Sequence, residues 1–88
     1  MTVEQKILEL GFKQTGPKRY VRLQDGLVLE VHLVARKRRY RFSRPRFRNS
    51  YLLNHREFMR LNLDTIQHME FFPIAELMVK RIPSMFAL

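Results

Sequence analysis

The chain has 88 residues and no cysteine, which points to one domain and excludes disulfides and thiolate metal sites. Its hydrophobic fraction of 45%, with seven Phe and three Tyr, is enough for a packed core and excludes a disordered chain. Seventeen basic against eight acidic residues give a net charge of +9, which directs attention to polyanionic partners. No apolar run approaches the length of a membrane-spanning helix, and Met1–Lys6 is too polar for a signal peptide. The expectation is a single domain over 1–88 with no transmembrane segment, located in the cytoplasm or with the nucleoid.

Thr2 is a good N-cap, and Gln5 three residues later completes a capping box. Val3, Ile7 and Leu10 share one helical face, and Gly11 offers the left-handed residue that ends a helix. The spacing predicts a first helix over 3–10. Lys13 to Lys18 contains Thr15-Gly16-Pro17 and reads as a turn. Arg19–Leu23 is rich in Tyr, Val and Leu and reads as a strand. Gln24-Asp25-Gly26 is the strongest hairpin signal, and Leu27–Val34 follows as a second strand. There Leu27, Leu29, Val31 and Leu33 alternate onto one face, predicted to be buried, with Glu30 and His32 on the other.

Alternation then changes phase, since Tyr40 and Phe42 become the apolar positions. A turn within Ala35–Arg38 and a third strand over Arg39–Ser43 explain the shift, and Pro45 ends that strand. The second half reads as helical. Asn54 with Glu57 forms a second capping pair (Ser50 is an equally good start), with Phe58 and Leu61 inward. Asp64-Thr65 restarts a segment holding Ile66, Met69 and Phe72. Pro73 opens a last helix with Ile74, Leu77, Met78 and Ile82 as its apolar stripe. The expected fold class is α+β: an N-terminal helix, a three-stranded antiparallel sheet and C-terminal helices.

This order is similar to the α-β-β-β-α arrangement of double-stranded-RNA-binding domains and of HicA-type toxin ribonucleases. Leu10-Gly11-Phe12-Lys13 and the Asp25-Gly26 hairpin resemble the toxin group over about the first third of the chain. The resemblance implies a fold and no activity. That family carries a histidine in a Gly-Ser-His element on its first strand, and here Gly16 is followed by Pro17-Lys18-Arg19.

Between Arg36 and Arg48 lie eight cations and no acid: Arg36, Lys37, Arg38, Arg39, Arg41, Arg44, Arg46 and Arg48. Without these eight the chain holds nine basic and eight acidic residues, so the net charge resides in this basic segment, 36–48. A cluster of one sign repels itself, and a polyanion relieves that repulsion while releasing its own counterions. Arginine forks bind phosphates bidentately and read guanine edges. Tyr40 and Phe47 are candidates for stacking on bases. Period two nevertheless places Tyr40 and Phe42 opposite the arginines, and core packing is the stronger expectation for them.

The three histidines, His32, His55 and His68, have no partner at metal-binding or catalytic spacing, and no glycine-rich phosphate loop is present. The sequence therefore predicts no catalytic residue, no metal and no cofactor. Its leading reading is a non-enzymatic nucleic-acid-binding protein that grips the phosphate backbone through the arginine-rich segment Arg36–Arg48, which spans the turn between the second and third strands, the third strand and its exit loop, with DNA and RNA both open. The alternative is an inhibitor or regulatory module that presents the arginines to an acidic protein. Attachment to anionic membranes is a weaker third reading, because no amphipathic helix carries the basic face. Phe72 with Met85, Phe86 and Leu88 of the apolar tail, 84–88, forms a candidate partner or homodimer surface.

Overall fold

The first helix, α1 (Val3–Glu9), starts as its sequence dictates: Thr2 Oγ1 accepts from Gln5 N at 3.1 Å, and Gln5 Oε1 accepts from Thr2 N at 2.8 Å. In this computed structural model, which describes residues 1–74, the chain then forms β1 (Phe12–Gly16), β2 (Arg19–Arg22), β3 (Leu27–Val34), β4 (Lys37–Ser43) and β5 (Tyr51–Asn54). Two short helices follow, α2 (His55–Met59) and α3 (Leu63–Gln67). The body of the last helix expected after Pro73 lies outside the described residues, as does the apolar tail with Met85, Phe86 and Leu88.

The sheet has five strands in the order β1-β2-β3-β4-β5, every neighbour antiparallel. This corrects the expected three-stranded sheet. The α+β class stands, but one strand is added at each edge. Residues 12–16 form β1, and the turn expected across Lys13–Lys18 narrows to Pro17-Lys18, with Lys18 at φ 57°. Lys13, Gln14 and Thr15 are exposed, so this edge strand has no apolar alternation to betray it. Tyr51–Asn54 pairs with β4 instead of opening a helix. Helix α2 starts at the predicted cap, where Asn54 Oδ1 accepts from Glu57 N at 2.8 Å. Helix α3 is capped by Asn62 instead of restarting at Asp64-Thr65, with Asn62 Oδ1 accepting from Thr65 N at 2.8 Å.

One sheet face carries the core. Ile7 and Leu10 from α1, Phe12, Leu27, Leu29, Tyr40 and Phe42 from the sheet, and Phe58, Leu61 and Ile66 from the C-terminal half form one buried cluster. Tyr40 and Phe42 thus point inward, as their period requires. The Asp25-Gly26 hairpin also forms, with Gly26 at φ +75° and Gly26 N donating to Arg22 O at 2.7 Å. The predicted burial of the alternating β3 residues holds only at its start. Leu27 and Leu29 are at most 1% exposed, whereas Leu33 is 65% exposed.

The reason is strand length. β2 pairs with β3 only as far as Glu30, and β5 pairs with β4 only as far as Arg39. β3 and β4 continue together to Val34↔Lys37. Residues beyond Val31 and before Arg39 therefore form a two-stranded arm that outgrows its neighbours.

The arm closes through Ala35 and Arg36, at φ 52° and 65°. A two-residue hairpin loop with both residues left-handed is the type I′ turn, which favours Asn-Gly. Holding two side-chain-bearing residues there costs about 1 kcal/mol or more each. The double variant Ala35→Asn/Arg36→Gly is expected to raise stability by about 1–2 kcal/mol, read as a higher Tm in a thermal melt. A lower Tm would show that the turn is not strained in this way.

Candidate nucleic-acid interface

The register of the sheet sorts the predicted cations. Tyr40 and Phe42 face the core, so Lys37, Arg39 and Arg41 project from the opposite, open face, together with their cross-strand partners Val34, His32 and Glu30. Arg38, opposite Leu33, lies on the core side of the arm but beyond the buried cluster, and Arg36 is in the turn. Arg36, Lys37 and Arg38 are all exposed at the end of the arm. None of them has an acidic partner within ion-pair distance among the described residues.

Arg39 is half-buried, and its Nη1 donates to the Arg38 carbonyl at 3.2 Å. Arg41 is exposed and stands opposite Glu30 and Leu52. Glu30 also faces Arg19 across the sheet, with Arg19 Nη1 3.7 Å from its carboxylate. A row Arg19–Glu30–Arg41 therefore crosses three strands of the open face.

The remaining cations lie on the loop after β4. Arg44-Pro45-Arg46-Phe47 is a tight turn, closed by Phe47 N donating to Arg44 O at 3.1 Å, with Arg46 at φ 70°. Pro at its second position and a left-handed third residue are the signature of a type II turn. Arg44 is engaged internally: Nη1 donates to the Asp25 carbonyl at 2.9 Å, Nη2 lies 3.2 Å from the Asp25 carboxylate, and Cζ lies 5.3 Å from the Phe71 ring centroid. Arg46 and Arg48 are exposed, Arg48 with Cζ 5.9 Å from the Phe72 ring centroid. Asn49 anchors the loop by donating to Glu70 O at 2.6 Å and accepting from Phe72 N at 2.9 Å.

The stacking candidates do not present free rings. Tyr40 is 0% exposed, stacked on Phe58 at 4.0 Å, with its hydroxyl 2.9 Å from His55 Nδ1. It belongs to the core and cannot offer a face to a base. Phe47 is half-buried, with its ring edge-to-face with Phe71 at 6.2 Å. Phe72, the described member of the candidate partner surface, is 48% exposed.

The histidines are dispersed, His55 on Tyr40 and His68 Nδ1 2.7 Å from the Asp64 carbonyl. Among the described residues no three His, Asp or Glu side chains gather as metal ligands, and no helix is long and apolar enough to cross a membrane.

Fold and surface together define a small α+β domain: a five-stranded antiparallel meander with helices on one face and the Arg19–Glu30–Arg41 row across the other. No protein-family model, curated protein or solved structure gives a significant match to the chain.

Proposed function

We propose that the protein is a non-enzymatic nucleic-acid-binding domain whose β3–β4 arm enters a groove and grips the phosphates on its walls. The observation that carries this reading is the exposed end of the arm, where Arg36, Lys37 and Arg38 stand without acidic partners among the described residues. The three β3 residues of the arm, His32 to Val34, at ~3.3 Å each reach roughly 10 Å. A major groove is about 8.5 Å deep and about 12 Å wide, so the arm is long enough to touch its floor and narrow enough to fit. Arg39 and Arg41, on the open face at the base of the arm, extend the contact to neighbouring phosphates. With Tyr40 buried and Phe47 packed on Phe71, phosphate contacts carry the affinity, and base stacking is not part of this reading.

Arg44, held by Asp25, contributes less than its neighbours. About four to six phosphate contacts are then expected on duplex DNA. The plot of log K against log[salt] should have a slope of about −4 to −5, at ~0.9 per contact. Replacing Arg36 and Arg38 together by Ala should flatten the slope by about two units and weaken all sequences alike. The fold should hold, since exposed substitutions usually change stability by less than about 0.5 kcal/mol. Fluorescence titration of labelled duplex DNA, duplex RNA and single strands across salt concentrations provides the test. Binding to none of them tighter than ~10⁻⁴ M at physiological salt would assign the arginines to an acidic protein surface instead.

A further inference from the structure

The open face holds a feature that a groove-entering arm does not require. Between the sheet and the loop after β4 lies a cleft of roughly 320 Å³ with four arginines on its walls: Arg19, Arg41, Arg44 and Arg48. Its apolar lining includes Val28 and Phe47. Val28 is only 4% exposed although it lies on the face away from the helices. We propose that this cleft binds a phosphate monoester, the group shared by a free nucleotide and by the phosphorylated end of a strand. The inference rests on the reading of these arginines as phosphate ligands, and adds a discrete site to it.

Three observations support a single terminal phosphate over a continuous backbone. The first is size: the cleft lies at the lower end of small-ligand sites, about 300–1,000 Å³, with room for one phosphorylated group. The second is charge. Two carboxylates pair with these arginines, Glu30 with Arg19 and Asp25 with Arg44. Four guanidiniums against two carboxylates leave two positive charges uncompensated, before counting Arg22 behind Asp25 at 3.8 Å. A phosphate monoester carries about −1.5 to −2 near neutral pH, whereas each backbone phosphate carries one charge.

The third is preorganisation. Arg44 is fixed by Asp25 and Phe71, Arg48 lies over Phe72, and Arg19 is drawn toward Glu30. Guanidiniums already held in place lose less freedom on binding, and their forks match phosphate oxygens bidentately. Arg41, with no acid within ion-pair distance among the described residues, is the cation most free to close on the ligand.

The test compares single-stranded oligonucleotides with and without a terminal phosphate, by fluorescence anisotropy on the full chain. In parallel, inorganic phosphate and a nucleoside monophosphate are titrated by phosphorus NMR, with the unphosphorylated nucleoside as competitor. The terminal phosphate should tighten binding at least about tenfold, the scale of one charge-assisted hydrogen-bonded contact. Arg41→Gln should abolish that difference, with Arg48→Gln as a second variant should the first fail to fold. Arg36→Ala/Arg38→Ala on the arm should leave the difference intact. A monophosphate that competes as well as the strand identifies a free nucleotide as the source; preference for the strand identifies its end. The inference is overturned when the terminal phosphate makes no difference and neither phosphate nor nucleotide perturbs the phosphorus signal. Backbone binding that still weakens in the arm variant would then keep the groove reading. Monophosphate binding without oligonucleotide binding would remove the groove reading and keep the cleft.

Discussion

Replacing Phe58 by Ala is expected to remove about half of the domain's stability. Phe58 is the buried residue of α2 and is 0% exposed. Its ring stacks on Tyr40 at 4.0 Å with an interplanar angle of 4°, and lies 6.2 Å from Phe42. It therefore joins the C-terminal helices to the middle strand pairing of the sheet. Removing a buried Phe costs about 3–5 kcal/mol, because the cavity only partly collapses. A domain of this size has a total stability on the order of 5–10 kcal/mol. At about 4–8 °C per kcal/mol, the Tm should fall by roughly 12–40 °C. Phe58→Leu keeps most of the volume and should lose far less. Leu8→Ala, at a position 72% exposed, should stay within about 0.5 kcal/mol. Circular dichroism melts of the three variants decide it. A drop below about 5 °C for Phe58→Ala would mean that α2 does not belong to the cooperative core.

Much of the fold was legible where the signal is local. The Thr2/Gln5 and Asn54/Glu57 caps each rest on residues three apart, and both form. The Asp25-Gly26 turn and the inward Tyr40 and Phe42 follow from turn chemistry and period two. The two edge strands were hidden for different reasons. β1 presents polar residues outward at 13–15, and β5 holds three consecutive apolar residues, Tyr51-Leu52-Leu53, which have no period of their own. Only pairing with β4 separates them, Leu52 to the open face opposite Arg41 and Tyr51 and Leu53 to the core side.

The basic segment was visible as composition, but its division into arm, face and loop required register. Arg19 is the clearest case, a cleft residue that a scan for charge density passes over. Counting outward from the Asp25-Gly26 turn would have found it. Arg22 pairs with Leu27, so Arg19 meets Glu30, and the next hairpin brings Glu30 opposite Arg41.

Asp25→Ala is expected to cost about 3–5 kcal/mol, the second large loss, although Asp25 sits in a turn. Asp25 Oδ1 accepts from Leu27 N at 3.2 Å, and Oδ2 lies 3.2 Å from Arg44 Nη2 and 3.8 Å from Arg22 Nη1. The Arg44 pair is partly exposed and contributes at most about 1 kcal/mol. Arg22 decides the size of the effect. It is 3% exposed, lies on the core face opposite Phe12 and Leu27, and its Nη1 makes no hydrogen bond. Its Nη2 donates to Gln24 Oε1 at 3.2 Å, a neutral partner. Without Asp25, Arg22 is a buried cation with no counter-charge, the situation in which breaking one side of a pair costs several kcal/mol. Asp25→Asn keeps an oxygen for the Leu27 N–H and removes only the charge, so it isolates that part of the loss. Arg22→Met removes the cation itself and fills much the same space. It should be neutral within about 1 kcal/mol or stabilising, because desolvating the arginine offsets most of what the pair returns. Urea denaturation of the three variants separates the contributions. Equal losses for Asp25→Ala and Arg22→Met would refute the uncompensated-charge account, since both would then be removing the same favourable interaction.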